Sequence, residues 1–389
     1  MNDEGLDTLL EKEKARQEST INLIASENYV SEDVLTALGS VYTNKYAEGY
    51  PGKRYYGGNQ YMDKVETLCQ QRALKVFGLD ESEWSVNVQS LSGSPANLAV
   101  YTALVPLGSK IMGLELSQGG HLTHGHKASV TGRWWKFVPY FLDKETELLD
   151  YEALRDVVLR EKPAMIVAGF TAYSRTIEWK RLRAIADECG ALLHIDLSHI
   201  AGLVAGGVYE SPFPYADTVM TTTHKTLRGP RGAMIFSKKE YSTAIDKAVF
   251  PGLQGGPHMN NILATAVALG EAAMPEFKTY VKAVVDNASI LAETLKEKGW
   301  RIVSNGTDTH LFLVDTWMKG KGIRGEDASV ALEAAGIIVN KNTIPYDTET
   351  PRNPSGIRIG TAAITTQGKT IEDMKLLGQR IHEVLQHSI

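Results

Sequence analysis

Only Thr222 to Arg231 separates two strand-like runs, Asp217-Thr218-Val219-Met220-Thr221 and Ala233-Met234-Ile235-Phe236. The interval is too short for the helical crossover that joins parallel neighbours, so these runs are expected to pair antiparallel. The chain before them reads differently. Lys110–Leu114, Met165–Gly169 and Leu192–Asp196 are short apolar runs of the kind buried on both faces of a sheet, and a helical pattern over Trp179–Cys189 lies between the last two. Such alternation predicts an α/β fold, a mainly parallel sheet with helices on both faces, into which the short loop inserts an antiparallel pair.

The flanks depart from this middle. A polar start, expected to be helical, leads into Ile21–Asn59, which is rich in Gly, Tyr, Asn and charged groups and has too few apolar residues for a regular core element. Over Met62–Phe77 the apolar positions Val65, Leu68, Ala73, Leu74 and Phe77 recur at helical spacing, and Gly78 stands where a C-terminal cap is wanted. Beyond about Met274 an amphipathic helix, Glu276–Lys298, ends at Gly299. Short strands at Arg301–Val303, His310–Val314 and Ile337–Val339 then mix with helices near Ala328–Ala335 and Ile371–Leu385. The expected division is an N-terminal arm over 1–30, a large domain over 31–275 and a smaller α+β domain over 276–389.

Composition removes several classes of function. At 389 residues, 43% hydrophobic and 22% charged, the chain is long enough for two domains with sizeable cores. A net charge of -5, with no block of like charges, predicts neither a nucleic-acid partner nor a membrane partner. The two cysteines, Cys69 and Cys189, sit in helical patterns away from any second thiol or ligand spacing, so no disulfide and no metal site is expected. Met1 to Gln17 alternates acids and bases, unlike a secretory signal, and no apolar run approaches the ~20 residues of a membrane span, so a cytoplasmic location is expected.

The loop between the antiparallel runs carries the chemistry. Thr221-Thr222-Thr223-His224-Lys225-Thr226-Leu227-Arg228-Gly229-Pro230-Arg231-Gly232 sets one lysine among hydroxyls and cations between glycines. That setting suits a Schiff base to a phosphorylated aldehyde, and pyridoxal phosphate is the aldehyde expected. Arg228 and Arg231 are expected to lower the amine's pKa by repulsion. A solvated basic loop is the plain alternative, and two further segments weigh against it. Ser92-Gly93-Ser94-Pro95-Ala96-Asn97 opens an Ala- and Leu-rich helix, with Ser94 suited to the N-cap and Pro95 to the first helical position. Amides exposed there, beside a glycine and two hydroxyls, form a phosphate cradle, although an ordinary capped helix reads the same way. Asp196 ends a predicted buried strand, where ligands sit in open α/β sheets, and a buried carboxylate there can hold a pyridine nitrogen protonated. His199, shortly after it, is placed to hydrogen-bond the cofactor or a substrate carboxylate. Asp196, Lys225 and Ser92–Ser94 thus supply ring, aldehyde and phosphate contacts together.

Further segments extend the pattern in order along the chain. They are Ile24-Ala25-Ser26-Glu27-Asn28-Tyr29, the Tyr- and Gly-rich stretch Asn44 to Gly58, Gly119-Gly120-His121-Leu122-Thr123-His124-Gly125, Phe250 to Pro257, Val339 to Pro345 and Ser355-Gly356-Ile357-Arg358-Ile359-Gly360-Thr361. On these motifs, which span nearly the whole chain, it resembles the serine hydroxymethyltransferases, which are fold-type-I pyridoxal phosphate-dependent transferases. The resemblance implies reversible transfer of the hydroxymethyl group of L-serine to tetrahydrofolate, giving glycine and 5,10-methylenetetrahydrofolate. It implies that Lys225 forms the Schiff base, that Asp196 pairs with the pyridine nitrogen and that His121 stacks on the ring. Ser92, Gly93, Ser94, Thr171, Thr222 and His224 would complete the cofactor site. Arg358 would grip the substrate carboxylate, with Ser26 and His199 assisting. Glu48 would move protons to and from the substrate hydroxyl and the folate. Tyr55 and Tyr56 would line the substrate site.

By the same resemblance Tyr46, Gly255 and Gly256 would reach the phosphate of a neighbouring subunit's cofactor, so that the site forms in a homodimer. Pairing of dimers into a tetramer stays open. Leu116, Gly120, His121, Leu122 and Asn342 match folate-contacting positions, and no metal is implied. One stretch departs from the pattern. Thr350-Pro351-Arg352-Asn353-Pro354 stands where the family usually reads Ser-Pro-Phe-Val-Thr beside the pterin, exchanging an aromatic group for a cation. A folate-independent aldolase or transaldolase acting on β-hydroxy amino acids would use the same lysine, aspartate and arginine. A catalytically silent partner protein would not need them intact.

Overall fold

The computed structural model describes residues 3–389. Its large sheet has seven strands: β1 Trp84–Asn87, β2 Lys110–Leu114, β3 Lys136–Tyr140, β4 Met165–Ala168, β5 Leu192–Asp196, β6 Thr218–Thr222 and β7 Ala233–Lys238. Across the sheet they run β1-β7-β6-β5-β4-β2-β3. β7 is antiparallel to both β6 and β1, and the other neighbours are parallel. The pairing expected across the lysine loop is therefore present, with Thr222 opposite Ala233 and Met220 opposite Ile235. β4 stops one residue short of the expected run because Gly169 turns with φ +100°, and a Cβ there would lie 1.9 Å from the Asp196 carbonyl oxygen. β1 and β3, the edge strands, carry weaker apolar patterns. Pro139 fits β3 because an edge strand has one side free of ladder bonds.

α1 Glu4–Ser19 buries no residue, whereas helices α2 Glu32–Leu38, α3 Gln60–Val76, α4 Gly93–Leu104, α5 Tyr151–Glu161 and α6 Trp179–Cys189 accompany this sheet. Two expectations need correction. The segment 21–59 is not wholly irregular. Ser31 caps α2 through its hydroxyl, Val34 and Ala37 bury one face of that helix, and Ile21–Asn22 pairs with Ile337–Ile338. Helix α4 begins two residues earlier than its proline suggested. Ser92, not Ser94, holds the N-cap backbone conformation, and Pro95 falls inside the first turn, where its missing N–H still costs no helical bond.

Downstream, α7 Pro275–Glu297 and α8 Gly325–Ala334 pack on a second sheet of β8 Arg301–Ile302, β9 Leu311–Asp315, β10 Asn340–Asn342 and β11 Gly356–Gly360, and α9 Ile371–Gln386 packs on those two helices. Its order is β8-β9-β11-β10, antiparallel throughout. The two cores meet on one helix. Phe277, Tyr280, Val281 and Val284 of α7 belong to the large core, whereas Leu291, Ala292 and Leu295 belong to the small one. Among the described residues no helix is long and apolar enough to cross a membrane.

Candidate active site

The lysine loop is braced on every side. Thr223 N–H donates to Gly232 O and Gly229 N–H to Thr223 O, closing the base of the loop. Thr226 Oγ1 donates to His199 O and accepts from Gly202 N–H, which ties the loop to the segment after β5. The Lys225 carbonyl accepts from Asn28 Nδ2 at 2.9 Å and from Arg228 N–H at 3.1 Å. With its backbone fixed, the lysine directs its amine into a cavity of about 340 Å³ at the C-terminal ends of the parallel strands. Burial pulls the amine down from 10.5 to about 8; Asp196 opposes that shift, and Arg358 and Arg231 add to it. Arg228 has no share in this effect, contrary to expectation. It adopts φ +57° and lays its guanidinium over the Tyr280 ring at 4.4 Å.

Asp196 reaches the cavity from the end of β5. Its Oδ2 accepts from His124 Nε2 at 3.1 Å and from Asn97 Nδ2 at 3.0 Å, and its Oδ1 accepts from Ser198 N–H at 3.1 Å. Burial alone would raise its pKa, but the His124 hydrogen bond and the proximity of His121 and Lys225 outweigh it and hold the carboxyl well below the usual range. Four nearby imidazoles are kept neutral. Burial lowers His121 to about 4 and His224 and His310 to about 3, and it lowers His199 well below its ordinary value. His310 Nε2 lies 3.2 Å from both Ala25 O and His199 Nδ1. The carbonyl can only accept, so His310 carries its proton on Nε2, and His199 carries its own on Nε2 as well.

The remaining wall comes from three other elements. Ser92, Gly93 and Ser94 line the cavity at the start of α4, and a Cβ on Gly93 would meet Thr222 Cγ2 at 2.8 Å, so only glycine lets that terminus approach β6. Arg358, in the middle of β11, is buried, and burial lowers its pKa to about 10. Its Nη1 donates to Thr171 O at 2.8 Å and its Nε to Asn340 Oδ1 at 3.1 Å, and no carboxylate lies within ion-pair distance among the described residues. Ser26 is held nearby because Gly360 N–H donates to Leu23 O and His310 to Ala25 O.

Of the expected residues, Ser26, Ser92, Gly93, Ser94, His121, Thr171, Asp196, His199, Thr222, His224, Lys225 and Arg358 line this one cavity. Tyr46, Glu48, Tyr55, Tyr56, Gly255 and Gly256 do not. They gather in a separate patch, where Tyr46 packs edge-on against Tyr56 at 5.2 Å and a Cβ on Gly255 would lie 3.3 Å from Glu48 Oε1. Leu116 and Asn342 lie outside that lining; their chain neighbours are tied, Thr343 Oγ1 donating to Ser117 O at 3.0 Å, while Leu122 is exposed. Gly120 is demanded by packing, because a Cβ would sit 2.0 Å from Leu114 O. The sequence reading missed His124, Asn97 and His310. His124 lies in the quoted Gly-Gly-His motif, and Asn97 follows the cradle by one helical turn, but nothing in the spacing joins either to Asp196.

The cavity fits the expected cofactor by its unmet needs. Thr222 Oγ1 and His224 Nδ1 are buried without a hydrogen-bond partner among the described residues, Arg358 lacks an anion, and Asp196 is ionised. A phosphate, a pyridine N–H and a carboxylate are the groups such atoms take. His121, His124 and Asp196 also cluster closely enough to resemble metal ligands, but His121 Nδ1 is engaged with Thr123, and His124 uses Nε2 on Asp196 and Nδ1 on the His121 backbone N–H.

Comparison with known sequences agrees with this chemistry. The profile of the family described as serine hydroxymethyltransferase matches residues 1–381. A protein named serine hydroxymethyltransferase from Desulfotalea psychrophila is 53% identical over 380 residues, 98% of this chain and 88% of that one. One of the same name from Koribacter versatilis is 53% identical over 375 residues, 96% of this chain and 87% of its own. Identity at that level over nearly the full length leaves one conclusion, that the chain belongs to the serine hydroxymethyltransferase family.

Proposed function

We propose that the cavity around Lys225 is where this enzyme transfers the hydroxymethyl group of L-serine to tetrahydrofolate, giving glycine, 5,10-methylenetetrahydrofolate and water. Pyridoxal phosphate supplies an aldehyde for amine capture and a protonated ring that accepts the electron pair left at Cα. Lys225 presents an amine that is partly unprotonated near neutral pH, ready as a nucleophile. Asp196, ionised, would receive the pyridine N–H and keep it in place. Ser92, Gly93, Ser94, Thr222 and His224, which line the cavity, would hold the phosphate and the polar edge of the cofactor, and neutral His121 would lie against the ring. Arg358 binds the serine carboxylate with two parallel donors, which fixes the rotation of Cα and hence the bond that breaks.

One observation carries this reading: an ionised carboxylate, a buried arginine without an anion and a lysine of lowered pKa face the same space. The direct test is serine cleavage by the purified protein with and without tetrahydrofolate. Strong acceleration by the folate is expected, and a rate indifferent to it would favour the folate-independent aldolase.

Members of the family are oligomeric. We assign the patch of Tyr46, Glu48, Tyr55, Tyr56, Gly255 and Gly256 to the cavity of a second copy, with Glu48 as its proton carrier; Tyr46, Tyr55 and Tyr56 are all exposed in the single chain. Subunit mixing tests this. Lys225→Ala and Glu48→Gln proteins, each inactive, should on equimolar reassociation recover about a quarter of wild-type activity, because half the dimers are mixed and one of their two sites has both groups intact. No recovery means that both groups act within one chain.

The lysine makes a second expectation. Its amine loses a proton as pH rises, so uptake of free pyridoxal phosphate by the cofactor-free protein should quicken up to about pH 8 and level off above it. A rise continuing towards 10.5, the ordinary lysine value, contradicts the burial argument. The division into an arm over 1–30, a large domain over 31–275 and a small domain over 276–389 belongs to the same proposal, with the first half of α7 serving the large core. So does a cytoplasmic location, which rests on the two unpaired thiols Cys69 and Cys189 and is tested by cell fractionation.

A further inference from the structure

Asn97 is fully buried on α4 and holds none of the roles assigned above. Its amide is nevertheless in full use. Nδ2 donates to Asp196 Oδ2 at 3.0 Å and to Thr123 Oγ1 at 2.9 Å, and Oδ1 accepts from His194 Nε2 at 2.9 Å. The opposite rotation of the amide would set its oxygen against an ionised carboxylate, so the neighbours fix its orientation. His194 agrees. Burial lowers its pKa to about 3, leaving it neutral, and with Nε2 donating to Asn97 its Nδ1 accepts the Thr218 hydroxyl at 2.8 Å.

The other protons follow by counting. Thr123 Oγ1 receives a proton from Asn97, and among the described residues its own hydroxyl proton has one remaining acceptor, His121 Nδ1 at 2.7 Å. The Thr123 backbone N–H is directed at the same nitrogen from 3.2 Å. His121 Nδ1 thus faces two donors and is bare, which places the ring proton on Nε2. A proton added to Nδ1 would confront both donors, so the geometry opposes an imidazolium here.

We propose that Asn97 is a positioning residue that sets two proton states with one amide, holding Asp196 as an ionised acceptor and, through Thr123, holding His121 as the neutral Nε2–H tautomer. Its consequence for catalysis rests on the proposed function, which sets both groups against the cofactor ring. A carboxylate then stabilises the ring's N–H, and an uncharged imidazole adds no like charge beside it. The other groups facing Asp196 are His124, His121, Lys225, His194 and Tyr101, and those facing His121 are His124, Asp196, Lys225 and His199. Asn97 is the neutral member that touches Asp196 and Thr123 at once.

Nitrogen-15 spectra of histidine-labelled full-length protein, with and without pyridoxal phosphate, read the tautomer directly, the His121 signals being assigned by their loss in His121→Gln. The expected wild-type pattern at pH 7 is a protonated Nε2 and a bare Nδ1. Thr123→Val removes the hydroxyl donor, and Asn97→Asp puts an acceptor where the donor was and draws the Thr123 proton to itself. Both should raise the share of His121 rings protonated on Nδ1, short of complete conversion because the residue 123 backbone N–H still faces that nitrogen, while Thr123→Ser should keep the wild-type pattern. In Asn97→Asp, kcat should fall roughly ten-fold or more with a much smaller change in KM for serine. A proton on Nδ1 in the wild type, or a wild-type pattern surviving in both variants, overturns the proposal. The wild-type spectrum depends on no variant beyond the His121→Gln protein used for assignment, and the spectrum of the cofactor-free protein is independent of whether Lys225 binds the cofactor, so this inference and the proposed function fail separately.

Discussion

Lys225→Ala should lower serine turnover roughly 10⁴-fold or more while leaving the melting temperature close to that of the wild type. The two halves of that expectation have different causes. Activity goes because Lys225 is the one lysine among the residues lining the cavity, so no second primary amine stands ready to replace it. Stability stays because the loop is held by atoms that alanine keeps. The residue 225 carbonyl still accepts from Asn28 and Arg228, Thr226 still bridges His199 and Gly202, and the loop base still closes between Thr223, Gly229 and Gly232. An amine whose pKa burial has lowered also contributes nothing favourable in its charged form, so its removal relieves a desolvation cost. Steady-state kinetics and thermal melts of the variant check both halves. Turnover within about ten-fold of wild type would remove the lysine from the chemistry.

Arg358→Ala should cost roughly 3–5 kcal/mol in kcat/KM for serine, or about 10²–10⁴-fold, the range expected when one partner of a buried, hydrogen-bonded charge pair is removed. The guanidinium waits in the cavity with two neutral acceptors, Thr171 O and Asn340 Oδ1, and no carboxylate. A substrate carboxylate is the anion that completes it. Arg358→Lys should recover little, because a single ammonium cannot reproduce two parallel donors while also satisfying Thr171 and Asn340. The unpaired charge is costly without substrate. Arg358→Met, apolar and of similar length, should therefore melt no lower than wild type in serine-free buffer while staying as inactive as the alanine variant. If the lysine variant keeps most of the activity, the carboxylate is held elsewhere.

What the sequence revealed of this fold tracks how local each signal is. Strands β2 and β5 and helix α6 were legible to the residue because a strand buried on both faces or a helix with one buried stripe writes its limits in neighbouring side chains. The antiparallel placing of β7 was legible from loop length alone. Edge strands β1, which carries two polar residues in four, and β3, half-covered, were not, and the start of α4 was misplaced because serines at two nearby positions suit a cap equally well. The candidate site divided the same way. Lys225, Asp196 and Ser92–Ser94 announced themselves by local chemistry. His124, Asn97 and His310 matter through contacts across 72, 99 and 111 positions of chain, to Asp196 and His199, which no spacing rule encodes. The charge effect assigned to Arg228 failed for a similar reason. Proximity in sequence to Lys225 was no guide to where a positive-φ residue sends its side chain.

The most direct test of the whole scheme is reduction of the holoenzyme with borohydride followed by peptide mapping. A pyridoxyl group fixed to the ε-nitrogen of Lys225, on the peptide containing Thr221 to Gly232, is the expected result. Label on any other lysine, or a protein that loses its cofactor unlabelled on denaturation, contradicts it.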